Sequence, residues 1–262
     1  SLLQVQIQVH HDQQRLLLDF SGSSDQRPGN LNAPLAVTRA SVLYVIRCLL
    51  DADIPLNEGC FQPLDLKVPL GSMLNPRPPA AVVAGNVEVS QALCNLLFAT
   101  FGVLAAGQGT MNNFTFGDGQ RQYYETIAGG GGAGQGFNGS AGLQSHMTNS
   151  RLTDPEILEL RFPVRLERFA LRAGSGGRGQ WCGGDGLERV IRFLEPMSAS
   201  LISGSRRVPP FGLHGGEAGA CGVNTRLRAD GSEQCLPGSV QLDLTAGEAI
   251  RLLTPGGGGM GR

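Results

Sequence analysis

The sequence predicts an α+β fold: a mixed N-terminal lobe with two buried helices, then a glycine-rich, β-dominated C-terminal lobe. Two observations carry this. Apolar residues at helical spacing are confined to two long early segments, whereas short alternating runs dominate after residue 162. Glycine supplies 39 of 262 residues and clusters between those runs, where it reads as tight turns rather than disorder.

In chain order, Leu3, Val5, Ile7 and Val9 alternate, giving a strand over about 2–10, and a second follows over 15–20 after a turn at His10–Gln13. A loop rich in Ser, Gly, Asn and Asp runs from Ser21 to Asn32. The first helix is expected over 34–50, with Pro34 suited to its first position and Leu35, Leu43, Ile46 and Leu50 on one face. Short strands near 61–69 and 80–85 frame the turn residues Gly71-Ser72 and Asn75–Pro78. The second helix, 88–101, is apolar nearly all round and therefore expected to be buried. From Gly102 to Gly142 glycines, paired asparagines and aromatics replace periodicity. Thr153-Asp154-Pro155-Glu156 carries a helix-start signature, and strands follow at 163–172, 187–194, 199–204, 223–229 and 239–253. The expected lobes of this single domain are 1–155 and 156–262.

Composition excludes several classes. No apolar run of 18 residues exists, which removes a membrane-spanning helix. A net charge of −1 without a basic stripe argues against nucleic acid and membrane surfaces as partners. The six cysteines (48, 60, 94, 182, 221, 235) show no CxxC spacing, so free thiols and a cytoplasmic setting are expected. The chain opens inside an alternating run, which reads as a strand already under way, so it is expected to be part of a longer polypeptide.

The glycine tracts at 129–136 and 256–259 lack the Gly-Lys-Ser/Thr ending whose lysine reaches the outer phosphates, and the chain's one lysine is Lys67. They read either as close backbone packing or as N–H groups lining an anion pocket. His10, His11, His146 and His214 have no metal-ligand spacing, and no nucleophile elbow occurs. The polar stretch 107–154 is different. It gathers Gln108, Thr110, Asn112, Asn113, Glu125, His146, Asn149 and Arg151 between glycines that let backbone approach a ligand. Amides, a carboxylate, an imidazole and a guanidinium are the groups a polar substrate requires, although Asn and Thr also satisfy turns.

Several strings in this chain resemble, in order, the signature segments of the hydantoinase B/5-oxoprolinase family. They are Asp53–Gly59, Ser72–Pro76, Ala80–Gln91, Gln108–Asn113, Tyr123–Gly130, His146–Asn149, Ser175–Gly179, Gly183–Gly186 and Thr254–Gly259. Coverage is essentially the whole chain, and the 53–57 and 211–217 segments look most like 5-oxoprolinase. Ser203–Arg207 departs mildly from the family's Arg-Arg segment.

The resemblance implies the C-terminal portion of a B half that handles a small cyclic amide substrate. ATP and Mg2+ would be bound by a hydantoinase A-type ATPase half, fused or separate. A divalent metal would belong to the N-terminal portion of the B half, and an oligomer is expected. A lactam carbonyl is protected by amide resonance, which phosphorylation of its oxygen would remove. Water attack then needs a base and donors for the developing charge. Glu125 or His146 is the expected proton-handling group. Asn112, Asn113 and Asn149 would orient the substrate, and Arg151 or Arg206 would receive its carboxylate. For Arg151 the alternative is a helix-start pair with Asp154 or Glu156. Two other functions stay open, a part of an ATP-dependent ketone carboxylase and a non-catalytic binding or assembly module.

Overall fold

The computed structural model describes residues 1–262 except Asp53 and Leu56, so part of the Asp53–Gly59 segment lies outside the described residues. Two compact units are formed, Ser1–Val103 and Leu104–Arg262. Among the described residues no helix is long and apolar enough to cross a membrane.

The first unit pairs β1 (Gln6–His10) antiparallel with β2 (Arg15–Asp19), and β2 parallel with β3 (Leu64–Lys67). His10 and His11 lie exposed in and beside the β1–β2 turn. Helix α1 (Leu35–Leu49) begins one residue after Pro34 and packs on α2 (Ser90–Thr100). Its buried face is Thr38, Ser41, Val42 and Val45, whereas Leu35, Leu49 and Leu50 are exposed. The expected leucine stripe is therefore not the packed one: small and β-branched residues let the helices approach closely. α2 is buried as expected, through Leu93, Cys94, Leu97 and Phe98. No strand forms at 80–85. That segment runs into a π turn (Gly85–Val89), whose first glycine lies so close to Asn32 that a Cβ would sit 2.5 Å from its carbonyl oxygen.

The second unit is a β-sandwich with one helix. Four antiparallel strands are ordered β11 (Ser239–Leu244), β8 (Met197–Ile202), β4 (Asn113–Gly117), β5 (Gln122–Thr126). Five more are ordered β10 (Glu233–Leu236), β9 (Val223–Leu227), β12 (Ala249–Leu253), β7 (Gly186–Phe193), β6 (Val164–Arg172). Their inner faces share one core that includes Phe114, Phe116, Leu201, Ile191, Phe193 and Ile250, and Leu158 of α3 (Pro155–Arg161) joins it. The Phe116 and Phe193 rings meet edge to face at 5.3 Å, a favourable quadrupole geometry. Outward, cross-strand pairs Arg168–Glu188, Arg192–Glu167 and Arg251–Glu233 cover the five-stranded sheet. β4, β5 and β10 were not expected, and 239–253 divides into two strands. Because β4 pairs with β8, the stretch 104–155 belongs to this unit rather than to the first lobe.

Glycine segments from five parts of the chain are laced together beside the sandwich by backbone hydrogen bonds. Gly130 donates to Pro255, Gly131 to Ser140, Ala133 to Gly258, Gly184 to Gly131, Gly257 to Gly184, Gly177 to Gly257 and Gly259 to Glu217. Bonds in this mesh run in several directions rather than along a ladder, which requires backbones to pass closer than any side chain allows. A Cβ on Gly257 would lie 1.8 Å from the Gly131 carbonyl oxygen, and one on Gly132 would lie 1.8 Å from that of Ala105. The N–H groups of Gly130, Gly131, Gly134 and Gly256–Gly259 all donate to carbonyls, so of the two readings of the tracts the structure supports close packing over an anion pocket. Gly257→Ala is expected to cost more than about 2 kcal/mol of unfolding free energy, because backbone must move to admit a methyl. Gly119→Ala, with open space around the site, should stay within about 0.5 kcal/mol. Urea unfolding of both variants checks this, and equal stabilities would refute the steric account.

Candidate active site

Glu125 points inward from β5 and meets Arg189 from β7 across the sandwich. Arg189 Nε donates to Oε1 at 2.7 Å and Nη2 to Oε2 at 2.8 Å, and the two side chains are 2% and 1% exposed. Tyr123 Oη donates to the same carboxylate at 3.0 Å, and Phe169 lies over the guanidinium at 5.1 Å. Charges this deep persist only when paired and hydrogen-bonded. Both oxygens of Glu125 are thereby engaged in joining the two sheets.

The expected substrate-binding residues divide into two groups. Asn112, in the left-handed region at φ +47°, and Asn113 sit where β4 begins. Asn112 is 1% exposed. Its Nδ2 donates to Gln108 Oε1 at 2.7 Å and to the Ile127 carbonyl at 2.9 Å, and its Oδ1 accepts from Arg206 Nη2 at 2.9 Å. Asn113 donates to the Ile202 carbonyl at 2.8 Å and accepts from Tyr124 Oη at 2.8 Å. Arg206, half-buried just after β8, also donates from Nε to Asn224 Oδ1 at 2.9 Å and from Nη1 to the Gly204 carbonyl at 2.7 Å. Thr110 and Gln108 complete the cluster, accepting from the Gly204 amide at 3.0 Å and the Ser205 hydroxyl at 2.7 Å. Asn112, Asn113 and Arg206, 94 residues apart at the extremes, are thus brought to one end of the sandwich.

His146, Asn149 and Arg151 occupy a loop tethered next to it. Gln144 donates to Thr126 Oγ1 at 3.0 Å, Leu143 donates to the Gly129 carbonyl, and Ser145 Oγ lies 3.5 Å from where a Cβ on Gly107 would be. Asn149 and Arg151 are exposed. His146 has φ +57°, a left-handed conformation uncommon outside glycine. Desolvation pushes its pKa from 6.5 down to about 4, so the ring is held neutral, the form that accepts a proton.

Sequence reasoning missed Asn224, Arg189 and Tyr123 as partners. Asn224 is an uncharged polar residue opposite Leu252 on the inner face of a strand, and its burial at 1% exposure is the signal that alternation alone carries. Among the described residues no group of three or more His, Cys, Asp or Glu comes together as a metal donor set.

Two measurements check these assignments. Because the folded His146 pKa lies below 6.5, the stability it contributes is fully present above pH 6.5 and is lost as pH falls from there through about 4. NMR titration should find its ring unprotonated down to about pH 5; a midpoint near 6.5 would contradict burial. Glu125→Ala or Arg189→Ala should each cost about 3–5 kcal/mol, whereas Glu125→Leu with Arg189→Met should recover most of the loss. Additive losses in that pair would show the two groups act independently.

A profile for the family described as hydantoinase B/oxoprolinase matches residues 1–262. 5-Oxoprolinase 1 of Arabidopsis thaliana is 48% identical over 261 residues, covering 100% of this chain and 21% of that protein. Among solved structures, the ATP-dependent caprolactamase from Pseudomonas jessenii superposes with a TM-score of 0.84 at 23% identity, covering 99% of this chain and 48% of that one. A nucleotide-free acetone carboxylase gives 0.83 at 16% identity, with 99% and 41% covered. The latter two likenesses show the fold. The chain therefore spans about a fifth of the oxoprolinase and about half of the caprolactamase. Matched along its full length, it belongs to the hydantoinase B/oxoprolinase family.

Proposed function

We propose that this chain is the substrate-handling part of an ATP-dependent lactam hydrolase of the 5-oxoprolinase type. The observation that carries the reading is the Asn112–Arg206 cluster, a guanidinium set among buried carboxamides at the sandwich end. 5-Oxoproline presents to such a cluster a ring amide, which carboxamides match in donors and acceptors, and a carboxylate, which a guanidinium matches in charge. The oxoprolinase relative supports the substrate class.

On this reading ATP is a co-substrate, bound with Mg2+ by an ATPase half outside this chain, and it supplies the phosphoryl group that activates the lactam oxygen. The present residues bind and orient. Arg206 holds the carboxylate, Asn112 fixes its guanidinium, and Asn113 ties the start of β4 to the end of β8 beside it. His146, neutral at pH 7, accepts the proton of the attacking water as the carbon–oxygen bond forms. Ring opening then breaks the C–N bond, releasing the amine and leaving an acyl phosphate, which a second water cleaves to the new carboxylate and inorganic phosphate. Glu125 contributes by fixing β5, from whose end Thr126 anchors the His146 loop. Asn149 and Arg151, exposed on that loop, serve at its outer edge.

Ketone carboxylation is the second reading, favoured by the acetone carboxylase likeness. Full-length protein with its ATPase half should release glutamate and phosphate from 5-oxoproline and ATP without added bicarbonate. Phosphate release that requires bicarbonate and a ketone would favour the carboxylase instead. His146→Ala should lower ring opening by roughly a hundredfold or more while the melting temperature holds. Unchanged turnover would remove His146 from the chemistry.

A further inference from the structure

The edge strand of the five-stranded sheet, β6, has one half covered and one half open. Over the first half, the Leu166 N–H donates to Glu159 Oε1 of α3 at 2.8 Å. A bulge between Leu166 and Arg168 then shifts the register with β7. Covering elements and bulges are means by which folds blunt a sheet edge. After the bulge the edge has neither. Leu187 of β7 donates to Thr254 Oγ1 at 2.7 Å and accepts from the Thr254 N–H at 2.8 Å, so its backbone groups turn away from β6. Leu171 lies opposite Leu187, and Phe169 lies opposite Arg189 two residues along. Both are therefore non-hydrogen-bonded pairs, in which the β6 member points its N–H and C=O off the edge. Among the described residues these four groups have no partner.

The side chains at the same two positions are apolar. They share the inner face with Leu187 and Arg189, yet Phe169 is 46% and Leu171 57% exposed. Beside them, a Cβ on Gly142 would lie 3.4 Å from Leu171 Cδ2, and the next residue, Leu143, is exposed as well. Open backbone groups flanked by apolar side chains at alternate positions are what an added strand recognises.

We propose that the 169–171 edge of β6 receives an extended segment of the same polypeptide from outside residues 1–262, apolar at alternate positions, as a sixth strand of this sheet. The matching region is 21% of the Arabidopsis oxoprolinase and 48% of the caprolactamase, so both carry more polypeptide outside the match than within it. Three residues of edge are too few to hold a separate partner, since stable interfaces bury about 1,200 Å² or more. A tethered segment needs far less, because it binds at high effective concentration. A second copy fits the edge poorly. Two β6 strands paired antiparallel about Ala170 would set each Arg168 against the other's Arg172, like charges directly opposed.

Hydrogen exchange of the full-length protein with its ATPase half, read at single residues, is the test. The Phe169 and Leu171 amides should exchange roughly a hundredfold or more slower than unbonded amides in the same sequence. Leu171→Pro removes an outward donor and no bond to β7, so the Ala170 amide, which faces β7, should stay protected. Phe169 should then exchange roughly tenfold or more faster, because the added strand loses a partner and meets the proline ring. Fast exchange of both amides in the wild type overturns the proposal. So does protection that vanishes on dilution to single chains, which would put a second copy or a separate subunit on the edge. Protection of Phe169 that Leu171→Pro leaves unchanged overturns it as well.

Discussion

Backbone packed against backbone is the constraint on which the second unit depends. The segments 129–134, 139–141, 175–184, 211–220 and 256–260 approach each other to distances that admit only hydrogen at Cα, and their amides bond to one another's carbonyls. Such a mesh satisfies polar groups without side chains, so it holds loops rigid with little apolar burial. Every loop of the candidate site is tied to it. Gln108 donates its amide to Gly130, Ser205 reaches the Gln108 carbonyl, Gly222 bonds Ser205, and Gly256 bonds Ala220. Rigid support of this kind places a binding group within the tolerance that recognition requires.

A second principle shapes the sandwich itself. Its interior accepts charge and amide groups at the margins of an apolar core, always with partners fixed in advance. Glu125 and Arg189 join the sheets near β5, and Asn112 and Asn224 frame Arg206 where β4, β8 and β9 meet the loops. The first pair is closed on itself and serves architecture. The second set holds its guanidinium through the Asn112 and Asn224 side-chain oxygens and the Gly204 carbonyl, and so fixes its orientation.

Much of this was legible in the sequence. Alternating Val164–Arg172 and Gly186–Phe193, the Thr153–Glu156 helix start and the apolar 90–100 segment became elements close to their expected limits. The family resemblance was legible as well. What escaped has identifiable causes. β5 was hidden because Glu125 occupies an inward position that periodicity reserves for apolar residues, and only Arg189, 64 residues away, makes that tolerable. β4 was hidden by glycines on its flanks, although Phe114 and Phe116 alternate. In α1 the packed face carries Thr38 and Ser41 rather than leucines, since Thr38 Oγ1 donates to the Leu74 carbonyl and Ser41 Oγ to that of Val37. Among the arginines named for the substrate, sequence offered Arg151 and Arg206 equally. In the structure Arg206 bonds Asn112 and Asn224, whereas Arg151 is exposed.

The central claim is that the Asn112–Arg206 cluster is where the substrate's charged end resides. A crystal structure of the full-length protein with 5-oxoproline bound tests it most directly. The account predicts the carboxylate within about 3 Å of the Arg206 guanidinium, a charge-assisted hydrogen-bond distance, with Asn112 and Asn224 unmoved. A ligand seated elsewhere, its carboxylate held by other cations while Arg206 contacts protein alone, would contradict it.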